Sequence, residues 1–434
     1  MSRSRLGARW PKVQKMIPSR PLRRLLAVLT CVVSLLLPQA GALAEDRSPL
    51  LGGEPGSGPP AWSAPRTLER ATDVRWTDVP KGYWARRAID HVAAVHVWMR
   101  DFRQAGDGRY PFRPENLETR RHFARSVVRA LARDAAVDPG VTFADLPEDD
   151  RFFPFANVAV ASGWLRRDAG GNFRPDDPVT MRDVHRALVL ALGLRDLAAG
   201  ANALHMRDGT AIDTPKDFGT TLIGMKLGLR FNHGDETLDV PSPTAPLTRA
   251  EVAWSLYRAT TVPTYVIDGL APYADMELPT LSGKMLRVVS FAVRYVGYPY
   301  VWGGEWADAG TSGYCCGYQP IGGFDCSGLT WWVMKRAAAG WDNTPPREYR
   351  GWDLPQRTSA QMAAVGGRVR WDDLQPGDLL LYDGDGDGTV DHVDTYIGRG
   401  WAVDSGSSNA GVTLTYVSGN WYEDHFAKGR RIIT

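Results

Sequence analysis

The chain has 434 residues, of which 44% are hydrophobic and 23% charged, a composition typical of folded soluble proteins. This length exceeds what one ordinary core organises, so we expect two or three domains. Residues 1–44 hold eight of the 51 basic side chains and none of the 49 acidic ones, which leaves the remainder mildly acidic. An acidic body gives no electrostatic reason to expect nucleic-acid binding.

The N-terminus has the pattern of a secretory signal. A basic stretch precedes an apolar run from Leu25 to Leu37, and Ala42-Leu43-Ala44 supplies the small residues of a cleavage site. The apolar run is short for a bilayer span, and an uncleaved membrane anchor is the alternative. We predict a signal peptide over residues 1–44 and a secreted protein.

A linker and then a repetitive segment follow. Residues 45–72 are rich in proline, glycine and serine, which indicates a flexible linker. Residues 73–262 contain three weakly similar units, each with a threonine before an amphipathic run, at Thr119, Thr180 and Thr248. These threonines have the position of helix N-caps, and the last one opens a capping box. We predict an all-α domain of three helical repeats, since a lone unit could not bury its apolar face.

These units resemble the S-layer homology repeat. The residues that carry the resemblance are Trp76 to Pro80, Trp84-Ala85, Phe112 to Pro114, Phe143 to Pro147, Phe173 to Pro175 and Thr248 to Glu251. The resemblance implies a domain that holds exported proteins on the cell wall through a secondary wall polymer, contacted by Arg120 and Arg249. Met181 takes the corresponding place in the second unit. The alternative is a spacer in which these arginines are ordinary first-turn residues.

From residue 284 the pattern is helices first and strands after. Residues 263–283 are punctuated by prolines and are predicted to be a linker. Helical periodicity covers Lys284 to Gly297 and Ser327 to Ala339. The predicted strands are Leu379–Tyr382, Val393–Ile397, Ala402–Asp404, Val412–Val417 and Arg431–Ile433. Without β-α-β alternation, this order predicts an α+β domain with an antiparallel sheet over residues 284–434.

Cys326 has the sequence surroundings of a nucleophile. It follows Gly322-Gly323-Phe324-Asp325 and opens an apolar helix, where free N–H groups and the helix dipole favour a thiolate. A thiolate nucleophile needs a base within reach. His392 begins a predicted strand, and Asp404 on the next antiparallel strand could orient its imidazole. A cysteine on a helix with a histidine on a strand is the papain-like arrangement.

Four ordered motifs in this domain resemble the NlpC family of cell-wall cysteine peptidases. They are YVWGG from Tyr300, GGFDCSGL around Cys326, PGDLLLY from Pro376 and DHVDTYIG around His392. The resemblance implies an endopeptidase that cuts peptidoglycan stem peptides, typically between D-glutamate and a diamino acid. It makes Cys326 the nucleophile, His392 the base and Asp404 the orienting residue, although this third place is often histidine in the family.

The same resemblance suggests residues that contact substrate. Tyr300 matches the family tyrosine near the nucleophile, where its hydroxyl would bind substrate or stabilise the oxyanion. Asp325 and Ser327 flank the nucleophile and are further candidates, with a plain N-cap as the alternative for Asp325. Trp302 and Trp306 lie in the loop before Cys326 and are candidates for a substrate wall.

Between Gly304 and Gly322 this sequence has an insertion that the family lacks. It contains adjacent Cys315 and Cys316, and a disulfide between neighbours would be strained. The pair could stay reduced, bond another chain or form a redox lock with Cys326. The interpretation we prefer is a surface loop that shapes the cleft.

A second unusual segment is rich in aspartate and glycine. Asp383, Asp385 and Asp387 have the spacing of an EF-hand-like calcium loop, but flanking helices and the bidentate glutamate are missing. A hairpin turn explains the same residues, so we expect no metal and no cofactor.

These patterns together predict an exported, wall-associated peptidoglycan endopeptidase. Its predicted partners are peptidoglycan stem peptides and a secondary cell-wall polymer, while the oligomeric state is left open. One alternative is an N-acetylmuramoyl-L-alanine amidase that uses the same thiol site. The other is a non-catalytic wall-binding or structural protein.

Overall fold

The computed structural model describes residues 74–281, 283–309, 319–339, 354–384 and 386–433. All of them fall within one compact unit, Pro49–Thr434. The predicted signal peptide and first linker lie outside the described residues, as do Cys315, Cys316 and Asp385. Across the described ranges, the structure contains no helix with both the length and the hydropathy needed to cross a membrane.

The first part of the described chain is mainly helical. Its helices are α1 Arg86–Ile89, α2 Arg120–Leu131, α3 Phe153–Ala161, α4 Met181–Ala191, α5 Arg195–Asn202, α6 Phe218–Lys226, α7 Arg249–Thr261 and α8 Thr264–Asp268. A π-helical turn, Asp90–Val95, follows α1, and 3-10 turns lie at Glu236–Leu238 and Ala271–Ala274. Two short parallel strands, β1 His205–Met206 and β2 Glu277–Leu278, join the end of this part to its middle.

Threonines occupy the N-cap positions of three of these helices, as the sequence predicts, although the Thr119 side chain makes no cap hydrogen bond and lies 2.8 Å from His122 Nδ1. Thr180 makes the full capping box, because its hydroxyl accepts from the Asp183 N–H and Asp183 bonds back to the Thr180 N–H. At Thr248 the predicted capping box is only half formed. The Thr248 hydroxyl accepts from the Glu251 N–H, but the Glu251 carboxylate lies 2.6 Å from His233 Nε2. A buried histidine therefore takes the carboxylate that the sequence pattern assigns to the cap.

The starts of α2, α4 and α7 contact one another through equivalent backbone hydrogen bonds. These bonds run from Arg120 N–H to Asp177 C=O, from Met181 N–H to Ala245 C=O and from Arg249 N–H to Asn116 C=O. Each helix start thus lies against the segment that precedes a different helix, and the three contacts close into a ring. The two Phe-Arg-Pro segments that begin at Phe112 and Phe173 make equivalent hydrogen bonds. Asp78 accepts from the N–H groups of Phe112 and Arg113, and Asp145 accepts from those of Phe173 and Arg174.

Residues 263–283, predicted as a linker, contain α8, a 3-10 turn and β2. Leu270, Tyr273 and Met276 are buried, so this segment packs into the structure. Its prolines mark the ends of short elements, whereas its apolar residues join the core.

The C-terminal part is built around an antiparallel sheet, as predicted, but the sheet has six strands where the sequence predicts five. The strands are β5 Gly367–Val369, β6 Asp378–Tyr382, β7 His392–Gly398, β8 Trp401–Gly406, β9 Gly411–Tyr416 and β10 Phe426–Arg431, in the order β5-β10-β6-β7-β8-β9. Helices α9 Gly283–Ala292, α10 Cys326–Ala339, α11 Ser359–Met362 and α12 Trp421–Asp424 accompany it, with a 3-10 turn at Val293–Tyr295. A small hairpin of β3 Glu305–Trp306 and β4 Gly323–Phe324 comes before α10. Helix α10 packs against α9 on one side and against β7 and β8 on the other.

The last strand differs from the prediction. The sequence predicts Arg431–Ile433, but β10 covers Phe426–Arg431 and pairs with both β5 and β6. Its Lys428-Gly429-Arg430 stretch is polar, so hydrophobic alternation does not mark it as an inner strand.

The helical part packs directly on the sheet. Helix α6 contacts β9. The Tyr273 hydroxyl donates to the Leu414 carbonyl at 2.8 Å, and Arg230 donates to the Gly297 carbonyl at 3.2 Å. These buried contacts join residues far apart in the sequence.

Candidate active site

Cys326 is the first residue of α10, as predicted, and it is half-buried. Asp325 immediately before it caps the helix, because one carboxylate oxygen accepts from the Gly328 N–H at 2.5 Å and from the Ser327 hydroxyl at 3.1 Å. The Cys326 sulfur therefore lies at the N-terminal end of a helix, where the backbone dipole is positive.

His392, the first residue of β7, contacts two carboxylates. Its Nε2 lies 3.1 Å from Asp404 Oδ1 on β8 and 3.1 Å from Asp394 Oδ1 on its own strand. The predicted Asp404 contact is thus present. Asp394 is a residue that the sequence analysis did not assign to the site. The His-x-Asp spacing was a usable signal, since alternate strand residues share one face.

The two carboxylates set the charge of the imidazole. Burial alone would lower the pKa of His392, but the charges of Asp394 and Cys326 and the bonds to both aspartates raise it well above 6.5. Burial and the nearby Asp404 charge raise the pKa of Asp394 to about 7. Burial would also raise the pKa of Asp404, but the His392 hydrogen bond and charge, with the Lys226 charge, hold it below its usual value. The site therefore favours an imidazolium beside an ionised Asp404.

Two further side chains hold Asp404 in place. Its Oδ2 accepts from Asn409 Nδ2 at 2.6 Å and from the Tyr422 hydroxyl at 3.3 Å. The Asp404 side chain is buried, so these bonds replace the water that a carboxylate would otherwise require.

A second charged cluster lies beside the cysteine. Arg357 Nη1 donates to Asp325 Oδ1 at 3.0 Å and to the Ser327 hydroxyl at 2.9 Å, and its Nε pairs with Glu305. Burial would lower the pKa of Arg357, but the charges of Asp325 and Glu305 raise it. Arg357 was not predicted from the sequence, because no local motif relates it to Ser327 and Glu305, which lie 30 and 52 positions earlier.

These groups surround one open cleft of about 440 Å³. Of the eight residues predicted for catalysis or substrate contact, all but Trp306 line it, together with Arg357 and Trp421: Tyr300, Trp302, Asp325, Cys326, Ser327, His392 and Asp404. Burial and the neighbouring Cys326 and Asp325 raise the pKa of Tyr300, so its hydroxyl stays neutral.

The two candidate tryptophans differ in position. Trp302 is 81% exposed at the cleft, and its backbone N–H donates to Glu236 of the helical part at 2.5 Å. Trp306 does not line the cleft. It is buried, with its ring 4.3 Å from that of Trp332, so it belongs to the core and its prediction as a substrate wall is wrong.

The aspartate- and glycine-rich loop binds its own backbone in the part that the structure describes. Asp383 accepts from the Gly388 N–H at 2.8 Å and Asp387 from the Thr389 N–H at 2.7 Å, as in hairpin turns. Among the described residues, His392, Asp394 and Asp404 form the one group with the spacing of metal ligands. Their hydrogen bonds to one another explain that spacing without a metal.

The two predicted wall-polymer arginines are engaged inside the protein. Arg249 is buried, with Nη1 2.6 Å from both Asp101 and Glu118. Arg120 is less buried and donates to the carbonyls of Phe173 and Arg166 at 2.8 and 2.7 Å.

A half-buried thiol at a helix start shares its cleft with a histidine held by carboxylates, an arrangement that can support covalent thiol chemistry. Residues 297–431 match the NlpC/P60 family. The C-terminal part of the chain is therefore an NlpC/P60 domain, which confirms the resemblance predicted there. The S-layer homology resemblance of residues 73–262 lies outside that match and stays a prediction.

The chain is also similar to several known proteins over part of its length. The chain is 28% identical to murein DD-endopeptidase MepH of Escherichia coli, over 33% of this chain and 44% of that protein. It is 26% identical to the bifunctional muramidase/DL-endopeptidase CwlT of Bacillus subtilis, over 47% and 54%. It is 36% identical to a probable endopeptidase of Mycobacterium tuberculosis, over 31% and 26%. The chain thus spans about half or less of the length of these relatives.

Among solved structures, the P60 domain of a Mycobacterium avium subspecies paratuberculosis antigen is 28% identical. That alignment covers 35% of this chain and 96% of the other, with a TM-score of 0.26.

Proposed function

We propose that this chain is an exported peptidoglycan endopeptidase that hydrolyses stem-peptide bonds with Cys326 as nucleophile and His392 as base. The observation that carries the proposal is the shared cleft of Cys326, His392 and Asp404, in which the imidazole contacts the Asp404 carboxylate. The NlpC/P60 match and the names of endopeptidases among the relatives support it. Export is proposed from the leader sequence.

In the proposed reaction the Cys326 thiolate attacks the carbonyl carbon of the scissile amide, and negative charge moves to the carbonyl oxygen. The His392 imidazolium then donates its proton to the leaving amine as the C–N bond breaks, which leaves a thioester. Water attacks the thioester while His392 accepts its proton. The thiolate leaves, the acid product is released and the ion pair is restored.

The cleft provides donors where charge develops in this reaction. The neutral Tyr300 hydroxyl and the N–H groups at the start of α10 are our candidates for stabilising the oxyanion. Asp325 and Ser327 are held by Arg357 at the same wall of the cleft, and we propose that this wall contacts the stem peptide.

We assign the cut to the bond between D-γ-glutamate and the diamino acid, because the sequence motifs resemble those of enzymes with that activity. The relatives' names include both DL- and DD-endopeptidases, so the products must be identified directly. We also propose that residues 73–262 attach the protein to a secondary wall polymer. Since Arg249 already pairs with Asp101 and Glu118, this attachment would use more accessible groups of the same segment.

Mass spectrometry of digested peptidoglycan tests the proposal, with the full chain beside its Cys326→Ala variant, in reductant. New amino termini on the diamino acid that the variant does not produce are the expected result. Free lactoyl or muramic ends would replace the endopeptidase with an amidase. Absence of any product, with wall binding retained, would identify a binding protein and overturn the proposal.

A further inference from the structure

Lys226, the last residue of α6, is a buried cation of the helical part that contacts the sheet. The residue is only 9% exposed, and its ammonium donates to the Thr415 hydroxyl at 2.7 Å and to Asn409 Oδ1 at 3.3 Å. The residue lies outside residues 297–431, which match the NlpC/P60 family. A long polar side chain from one part of the fold therefore ends inside the other.

The contact continues to the candidate catalytic residues. Asn409 donates through Nδ2 to Asp404 Oδ2 at 2.6 Å, and Asp404 Oδ1 lies 3.1 Å from His392 Nε2. An ammonium can only donate and an ionised carboxylate can only accept, so the Asn409 amide between them has one permitted orientation. Lys226 thus fixes Asn409, and Asn409 fixes the carboxylate that faces the imidazole.

Lys226 also acts on Asp404 through its positive charge. The buried site holds the carboxylates of Asp394 and Asp404, and the two cations that lower the pKa of Asp404 are His392 and Lys226. Burial lowers the pKa of Lys226 to about 8, although both aspartates oppose this change. Lys226 is therefore charged at neutral pH and loses its proton above pH 8.

We propose that Lys226 is a positioning residue of the thiol site, which orients Asp404 through Asn409 and supplies a positive charge that keeps this carboxylate ionised. The helical part then completes the site and is more than an attachment module. The inference rests on the proposed function only in taking Cys326 as the nucleophile.

The ionisable groups that face His392 and Asp404 from the surrounding elements are Lys226, Tyr273, Tyr300, Cys326, Tyr382, Asp391, Asp394 and Tyr422. Besides His392, Lys226 is the cation whose charge lowers the pKa of Asp404, so its removal raises that pKa. Without Lys226, Asp404 is protonated at a higher pH than in wild type. A protonated Asp404 no longer provides a negative charge to the His392 imidazolium.

The test is the pH dependence of Cys326 alkylation by iodoacetamide in the full chain, measured by mass spectrometry of the Cys326 peptide. In Lys226→Met we expect the acid limb to move up by about one pH unit, since a nearby opposite charge shifts a carboxyl pKa by one unit or more. The rate on that limb then falls about tenfold. The difference from wild type should disappear at higher pH, where Asp404 is ionised in both proteins.

Tyr273→Phe is the matched control. It removes one buried hydrogen bond of the same interface, to the Leu414 carbonyl, and changes no charge. Asn409→Ser is the second test, because it breaks the connection and leaves Lys226 in place. We expect its acid limb to move in the same direction as that of Lys226→Met.

A folded Lys226→Met protein with the wild-type pH profile would overturn the inference. So would an equal change in Tyr273→Phe, which would indicate a general effect of the interface. If Lys226→Met does not fold, an unchanged profile in Asn409→Ser would overturn it. Alkylation needs no peptidoglycan, so a chain that cleaves no peptidoglycan would refute the proposed function and leave this test valid.

Discussion

His392 contacts two aspartates, and this arrangement predicts graded losses when the aspartates are replaced. In Asp404→Asn, the amide oxygen would still accept from Asn409, but its NH2 group would face His392 Nε2. The imidazole could then no longer donate to residue 404. Asp394 would keep its contact at 3.1 Å. Its pKa, raised by burial and by the Asp404 charge, should also fall once that charge is gone, so Asp394 becomes the better partner.

The size of each loss follows from one charged hydrogen bond. Such a bond contributes about 1.5–3 kcal/mol, which is roughly 10- to 150-fold in rate. We expect Asp404→Asn to lower kcat/KM within that range. Replacing both aspartates removes both bonds, and we expect a loss of about 10²- to 10⁴-fold. Because the two residues share one imidazole, their effects should not simply add.

The assay is kcat/KM on a soluble stem-peptide fragment for Asp404→Asn, Asp394→Asn and the double variant. Asp378→Asn is the control, since Asp378 is a buried carboxylate of the same sheet that pairs with Arg431 at 2.7 Å and does not line the cleft. It should keep wild-type kcat/KM. If Asp404→Asn alone were as inactive as Cys326→Ala, or if the double variant were no worse than Asp404→Asn, the shared role of Asp394 would be refuted.

Two further changes separate stability from substrate binding. Arg357→Met leaves the buried Asp325 and Glu305 without their cation. We therefore expect the free energy of unfolding, measured by urea titration, to fall by about 3–5 kcal/mol. A fall of less than about 1 kcal/mol would contradict this account. Trp302→Ala removes a side chain that is 81% exposed, so unfolding should change by less than about 0.5 kcal/mol while KM rises. An unchanged KM would remove Trp302 from the substrate wall.

The residues that the sequence placed on the right element are those with a clear local pattern. Cys326 opens a helix after small residues and an aspartate, and His392 begins a strand with clear alternation, so each could be placed from a few neighbours. Asp404 followed from one further step, the pairing of consecutive antiparallel strands.

The missed residues depend on contacts between distant segments. Arg357 meets Asp325 and Glu305 only when the chain returns to the start of α10. Lys226 ends an apolar helix, a position where a lysine is expected to be solvated and to complement the helix dipole. Its burial follows from the packing of α6 on β9, which no local pattern encodes.

The burial of Lys226 also argues that the helical part and the site act together. An ammonium removed from water costs several kcal/mol unless it is paired. Within the described residues its hydrogen-bond partners are the neutral Asn409 and Thr415, and the charges that favour its protonated form are those of Asp404 and Asp394. If residue 226 only filled space between the two parts of the fold, an apolar side chain would do so without the cost of desolvating an ammonium. The charge is therefore better explained by its action on the two carboxylates than by packing. A lower thiol reactivity in folded Lys226→Met, together with wild-type reactivity in Tyr273→Phe, distinguishes the two explanations.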